Sequence, residues 1–276
     1  MINGRVAGRR RWWLLAFLIV LLVPAGFAVG SRSRSAPSST ATWASPSVTG
    51  SPSAAEPTEP SPTSAPPTLA STPDKTQVPG AVPTRGSGSF AYATRRGPIH
   101  GTKGQLRRFR VAVEKGSDED PDQFATQVDA TLGDSRSWTG GGTLRLQMVA
   151  GTDRADFTVY LATRETAGQL CERGGTNIRI GGRPYTSCRT TGKAIINLDR
   201  WRLSARPFLV AKVPLATYRQ YVVNHEVGHE LGHHHEGCPR RGGPAPVMVQ
   251  QTLTTRGCVP YAWPRRGASF LVGPSR

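Results

Sequence analysis

Residues 225–235 read His-Glu-Val-Gly-His-Glu-Leu-Gly-His-His-His and hold five of the chain's six histidines. No other stretch narrows the fold as much. The stretch leading into it, residues 214–231, has no proline after its first residue, and Tyr218, Val222, His225 and His229 recur at helical spacing. That predicts a helix carrying His225 and His229 at i and i+4, about 6 Å apart on one face. Two imidazoles so placed can each bring a nitrogen to about 2.0–2.1 Å from a single zinc ion. Glu226 then points to the neighbouring side, where it reaches water beside the metal rather than the metal. A third protein ligand is needed. No Asp or Glu follows Glu236, so a second helix carrying a glutamate ligand is excluded and the ligand has to lie close by. Gly232 lacks Cβ and can take positive φ, ending the helix and turning the chain back under the metal. His235 becomes the third ligand, with His234 as its competitor. His233 is expected to be exposed or supporting, and the isolated His100 structural or inert.

The surrounding chain sets the compartment. Arg9 to Arg11 precede an apolar run from Trp12 to Val29, which reads as a charged leader followed by an export segment over residues 1–30. Its length suits a retained membrane anchor with the folded part outside the cytoplasm. Small-x-small sites at Gly26-Phe27-Ala28 and Ala28-Val29-Gly30 offer secretion after cleavage as the alternative. Residues 31–87 are rich in Pro, Ser, Thr and Ala, with 11 of the chain's 23 prolines between Pro37 and Pro83. Such a stretch buries too little apolar area to offset its ordering entropy, so a disordered linker is expected there, spanning roughly 40 Å as a random coil. The folded unit is placed at 88–276. All four cysteines, Cys171, Cys188, Cys238 and Cys258, fall within it, consistent with two disulfides in an oxidising exterior. Proximity pairs Cys171 with Cys188 and Cys238 with Cys258, one of three connectivities. A zinc cluster of cysteines is disfavoured because no CxxC pair is present. From residue 86 onward 27 Lys and Arg against 15 Asp and Glu leave +12. Outside the cell that suits anionic wall polymers, lipid head groups or acidic substrates rather than nucleic acid.

Within 88–276, strands and helices alternate. Phe109, Val111 and Val113 mark a strand, as do Leu144, Leu146 and Met148, and then Phe157, Val159 and Leu161. Asp120 as N-cap, Pro121 at the first position, Gln123 closing a capping box and Gly133 as the stop predict a helix with Phe124 and Val128 inward. A short helix over Glu165–Cys171 and a strand over Ala194–Leu198 follow. The expected class is α+β with a mixed sheet.

Met248 follows His235 by thirteen residues in "PAPVMVQQT" and is the only methionine after Met148. With the spacing His225-Glu226-x-x-His229-x-x-Gly232-x-x-His235 it resembles the metzincin pattern of three zinc histidines and a methionine turn. Together with "DFTVYLA", "INLDRW", the helix at 218–238 and "GCVPYAWP", it resembles an exported bacterial zincin-like family of unknown function over roughly 88–265. The resemblance implies a metzincin-type fold, one zinc ion, and peptidase chemistry with Glu226 as general base. It also implies an edge strand near 156–162 that holds an extended peptide. Tyr185 and Tyr261 are candidates for stabilising a developing oxyanion. The competing reading is a cell-surface binding module whose zinc is structural. A histidine-rich metal scavenger would instead take several weakly bound ions.

Overall fold

The computed structural model describes residues 75–276. The apolar run at Trp12–Val29 and the linker as far as residue 74 lie outside the described residues. Among the described residues no helix is long and apolar enough to cross a membrane.

In chain order the elements are β1 (Phe90–Tyr92), β2 (Ile99–His100), β3 (Gln105–Glu114), α1 (Pro121–Gly133), a 3-10 turn at Trp138–Gly141, β4 (Leu144–Met148), β5 (Phe157–Ala162) and α2 (Arg164–Arg173). There follow β6 (Arg179–Ile180), β7 (Arg183–Pro184), β8 (Cys188–Thr190), β9 (Lys193–Asn197), α3 (Leu198–Leu203), α4 (Arg206–Val210), α5 (Leu215–Glu230), β10 (Arg265–Arg266) and β11 (Ser269–Phe270). The main sheet runs β2-β4-β3-β5-β9-β8, with β1 also paired to β3. Strands β4, β3, β5 and β9 are parallel neighbours, whereas β1, β2 and β8 are antiparallel to theirs. This is the mixed sheet of the expected α+β class.

Alternation sorts the side chains. Phe109, Val111 and Val113 of β3 and Phe157, Val159 and Leu161 of β5 enter the main core with Phe124, Val128 and Leu132 of α1 and Tyr218, Tyr221 and Val222 of α5. Each such fully buried side chain contributes about 1.5–3 kcal/mol relative to exposure. The opposite face of the sheet carries a smaller core in which Ala162 and Ile195 meet Ala167 and Cys171 of α2. Strand β5 is therefore covered on both faces and hydrogen-bonded on both sides, between β3 and β9. The expectation of an edge strand near 156–162 is corrected accordingly, and the outer strand of the sheet at that end is β8.

Local signals explain α1 and part of its environment. Asp120 Oδ1 accepts from Gln123 N at 2.8 Å and Pro121 opens the helix, which is the Asp120 half of the expected capping box. Gly133 ends the helix where a Cβ would run into the His100 ring. That ring is held by Asp129, Nε2 to Oδ1 at 2.9 Å, so His100 has the structural role expected of it. Residues 75–87, on the linker side of the composition boundary, are tied to the fold. Leu215 N donates to Lys75 O at 2.9 Å, Val78 N to Arg202 O at 2.8 Å and Glu165 N to Thr84 O at 3.0 Å. Cys171 pairs with Cys188, joining α2 to β8, and Cys238 with Cys258, the connectivity that proximity favours.

Candidate metal centre

Helix α5 is covered nearly all round, so its polar residues need partners. Asn224 is fully buried: its Oδ1 accepts from Ser137 Oγ at 2.7 Å, its Nδ2 donates to Ala262 O at 3.1 Å, and its carbonyl accepts from Trp138 Nε1 at 3.0 Å. These bonds fix the turn that carries His225. At its C-terminal end the helix closes with the two bonds of a Schellman motif, His233 N to Gly228 O at 3.0 Å and Gly232 N to His229 O at 3.2 Å. Gly232 sits at φ +95° with open space around it, the left-handed conformation that the sequence assigned to it. The chain turns there and brings His235 back.

His225, His229 and His235 converge, each offering a ring nitrogen within 4.8 Å of the other two. His229 Nε2 and His235 Nε2 are 3.1 Å apart. A tetrahedral metal with bonds of about 2.0–2.1 Å places its ligand atoms roughly 3.3 Å apart, so this pair already has close to the required separation. The opposite nitrogens orient the rings. His225 Nδ1 meets Val247 O at 2.8 Å and His229 Nδ1 meets His233 O at 2.8 Å. A carbonyl only accepts, so Nδ1–H donates in both and Nε2 keeps its lone pair for a metal. Burial, and then the neighbouring His229, depress the His225 pKa to about 3. Burial, followed by His229 and His234, takes His235 to about 4, and burial first also lowers His229. All three rings are neutral at neutral pH, the form that ligates. His234 stays outside the cluster and exposed, and the exposed His233 stacks on Trp138 with ring centroids 4.2 Å apart.

A turn at 246–249 lies beneath, closed by Val249 N to Pro246 O at 3.0 Å. Three successive carbonyls of this turn serve the centre: Val247 O takes His225 Nδ1, Met248 O takes Glu236 N at 3.1 Å, and Val249 O takes Tyr221 Oη at 3.1 Å. Met248 is buried against α5 at Gly228, where a Cβ would stand 2.6 Å from both Met248 Sδ and Trp138 Cζ2. His235 is strapped from outside, since Arg276 N donates to His235 O at 3.1 Å and Gly273 N to Glu236 Oε2 at 2.9 Å.

Over residues 77–260 the sequence matches the family described as a protein of unknown function, DUF3152. The chain belongs to the DUF3152 family. No curated protein and no solved structure matches it. The matched span of this DUF3152 domain includes the three histidines, Glu226, Met248 and both disulfides.

The centre opens on a cleft of about 290 Å³ whose walls include Tyr221, His225, Glu226, His229, His235, Ser187, Arg189 and Thr252. Glu226 is 5% exposed. Among the described residues its carboxylate has no hydrogen-bond partner, and burial pushes its pKa up to about 8. Neither tyrosine expected to face a reacting group does so. Tyr261 Oη donates to Arg265 O at 2.9 Å, and Tyr185 lies under the Arg200 guanidinium at 4.3 Å from its ring centre. Neither lines the cleft. The residues that sequence reasoning missed are Asn224, Trp138 and Arg189 with its partner Glu230. Arg189 Nε donates to Glu230 Oε1 at 2.8 Å, and that oxygen also accepts Lys193 N at 3.0 Å, fastening α5 to the sheet edge. Asn224 and Glu230 flank the histidines in sequence, and polar residues inside an otherwise buried helix are the signal that could have found them.

Proposed function

We propose that this domain is an extracytoplasmic zinc-dependent hydrolase of peptide or amide bonds, of the metzincin type. One observation carries the reading: three neutral imidazoles, two of them oriented through Nδ1, converge beside a buried carboxylate that has no partner among the described residues, at the wall of an open cleft. Three nitrogen donors, with no fourth protein ligand among the described residues, suit a catalytic zinc rather than a closed structural one. Zinc bound there supplies Lewis acidity, which makes water a better acid and polarises a carbonyl. The chain's own residues do the rest. Val247 and His233 carbonyls hold His225 and His229 in the tautomer that presents Nε2. Glu226 accepts the proton of the attacking water and returns it to the departing amine, a task that favours a carboxyl titrating near neutral pH. The outer side of β8 offers an edge on which an extended peptide adds as a further strand. Two disulfides suit an oxidising compartment. That agrees with export through the Trp12–Val29 segment, with retention as a membrane anchor and a linker spacing the domain toward wall-associated substrates.

The test uses the full chain, stripped of metal and reloaded with zinc, against a mixed peptide library. Glu226→Gln is expected to lower turnover about 10²–10⁴-fold while both proteins hold one zinc per chain. If the zinc-loaded wild type cuts no peptide and binds peptides as the variant does, the reading fails and a non-catalytic binding module replaces it.

A further inference from the structure

We propose that Arg189 is the residue by which the cleft recognises a carboxylate, so that the favoured substrates are peptides presenting an acidic side chain or a free C-terminus beside the cleaved bond. This rests on the hydrolase reading above. Strand β8 alternates: Cys188 is committed to Cys171 of α2 on one face of the sheet, so Arg189 projects to the other, where α5 and the histidines lie. Its Nε is spent on Glu230 at 2.8 Å, and Glu230 is held in turn by Lys193 N at 3.0 Å. The Glu230 side chain is 3% exposed and that of Arg189 36%. A buried carboxylate thus fixes the guanidinium from behind while its outer part stays open to solvent. Neither Nη atom has a partner among the described residues. Two parallel N–H donors on a pre-oriented plane are what a carboxylate accepts bidentately.

The remaining walls agree. Among the described residues, Glu226 is the one acidic residue in the cleft's lining. Asn177 Oδ1 accepts Arg179 N at 2.9 Å, which leaves the Asn177 amide NH₂ as a second, neutral donor on the same wall. The net charge of +17 adds a long-range attraction for anionic peptides. A purely structural Arg189, stapling α5 to the sheet edge, would need only the Nε bond.

The experiment uses the zinc-loaded full chain and fluorogenic peptides of one sequence with Glu or Gln placed at each position in turn. A second set compares a free with an amidated C-terminus, and so tells the two sources of carboxylate apart. Wild type is expected to favour the carboxylate member at one place by roughly ten- to hundredfold in kcat/KM, the size of a charge-assisted hydrogen-bonded contact. In Arg189→Gln that ratio should fall to near one, and in Arg189→Lys it should survive in part. An unchanged ratio in Arg189→Gln, or a wild-type ratio near one in both sets, overturns the proposal. Should Arg189→Gln not fold, a full wild-type ratio in Arg189→Lys overturns it, because an ammonium cannot reproduce the fork. Binding of the same peptides to zinc-loaded Glu226→Gln separates the two readings. If no peptide is cut, the hydrolase reading fails, and Arg189-dependent binding still decides carboxylate recognition.

Discussion

Two glycines four residues apart in the centre do opposite work. Gly228 is a contact glycine: Met248 and Trp138 occupy the space a Cβ would need. Gly228→Ala should gain up to about 1 kcal/mol of helix propensity and lose more to overpacking, about 1–3 kcal/mol, between two buried side chains. Net destabilisation in thermal or urea unfolding checks this, and a more stable variant would refute it. Gly232 is a conformational glycine, at φ +95° with nothing near it. Gly232→Ala should cost only about 1–2 kcal/mol of stability yet weaken zinc binding about tenfold or more, because His235 depends on that turn. A zinc titration beside an unfolding curve separates the two effects. At this scale the sequence was most informative about residues whose geometry is local. His225, Glu226 and His229 are placed by a helix, Gly232 by the absence of a Cβ, and His235 by the turn that Gly232 makes. Arg189 and Trp138 could not be read, since each reaches the centre from a distant strand or turn with nothing in its own neighbours to point there. Tyr185 and Tyr261 were singled out by residue type alone, and packing gave both hydroxyl-bearing rings other partners.

Among elements, the 246–249 turn has the widest influence, because its carbonyls orient His225, anchor the segment after His235 and hold Tyr221. The Cys238–Cys258 disulfide brackets this region, closing a loop of 20 residues. Replacing both cysteines by serine should cost about 3 kcal/mol through loop entropy and should lower zinc affinity as well. Equal zinc affinity in the doubly substituted and native chains would show that the bracket does not tune the centre. Strands β3, β5 and β9 and helices α1 and α5 were legible because each carries a run long enough for its period to show. Strand β8 was not: three residues, Cys-Arg-Thr, have no readable alternation, and their strand character comes from pairing with β9. The misplaced edge has a related cause. Phe157, Val159 and Leu161 reveal one buried face of β5, but its interior place comes from hydrogen bonding to β3 on one side and β9 on the other, and side-chain alternation says nothing about in-plane neighbours. Likewise the hydrogen bonds of residues 75–87 to the fold are set by tertiary contacts that a proline-rich composition hides.

For the whole molecule, the centre joins α5, the 246–249 turn and the segment after Gly232, so a ligand there stabilises the folded chain as a unit. Zinc at a thousand times its dissociation constant should add about 4 kcal/mol, which for a domain of this size raises Tm by roughly 8–16 °C. Chelation should reverse the rise, and His229→Ala should show none. The most direct measurement is zinc-edge X-ray absorption on the full chain reloaded with one equivalent of the metal. The expected result is a shell of three imidazole nitrogens and one oxygen at about 2.0–2.1 Å, with an imidazole lost in His235→Ala. A shell containing sulfur near 2.3 Å, four protein nitrogens, or an unchanged spectrum in His235→Ala would contradict a three-histidine centre with an open position.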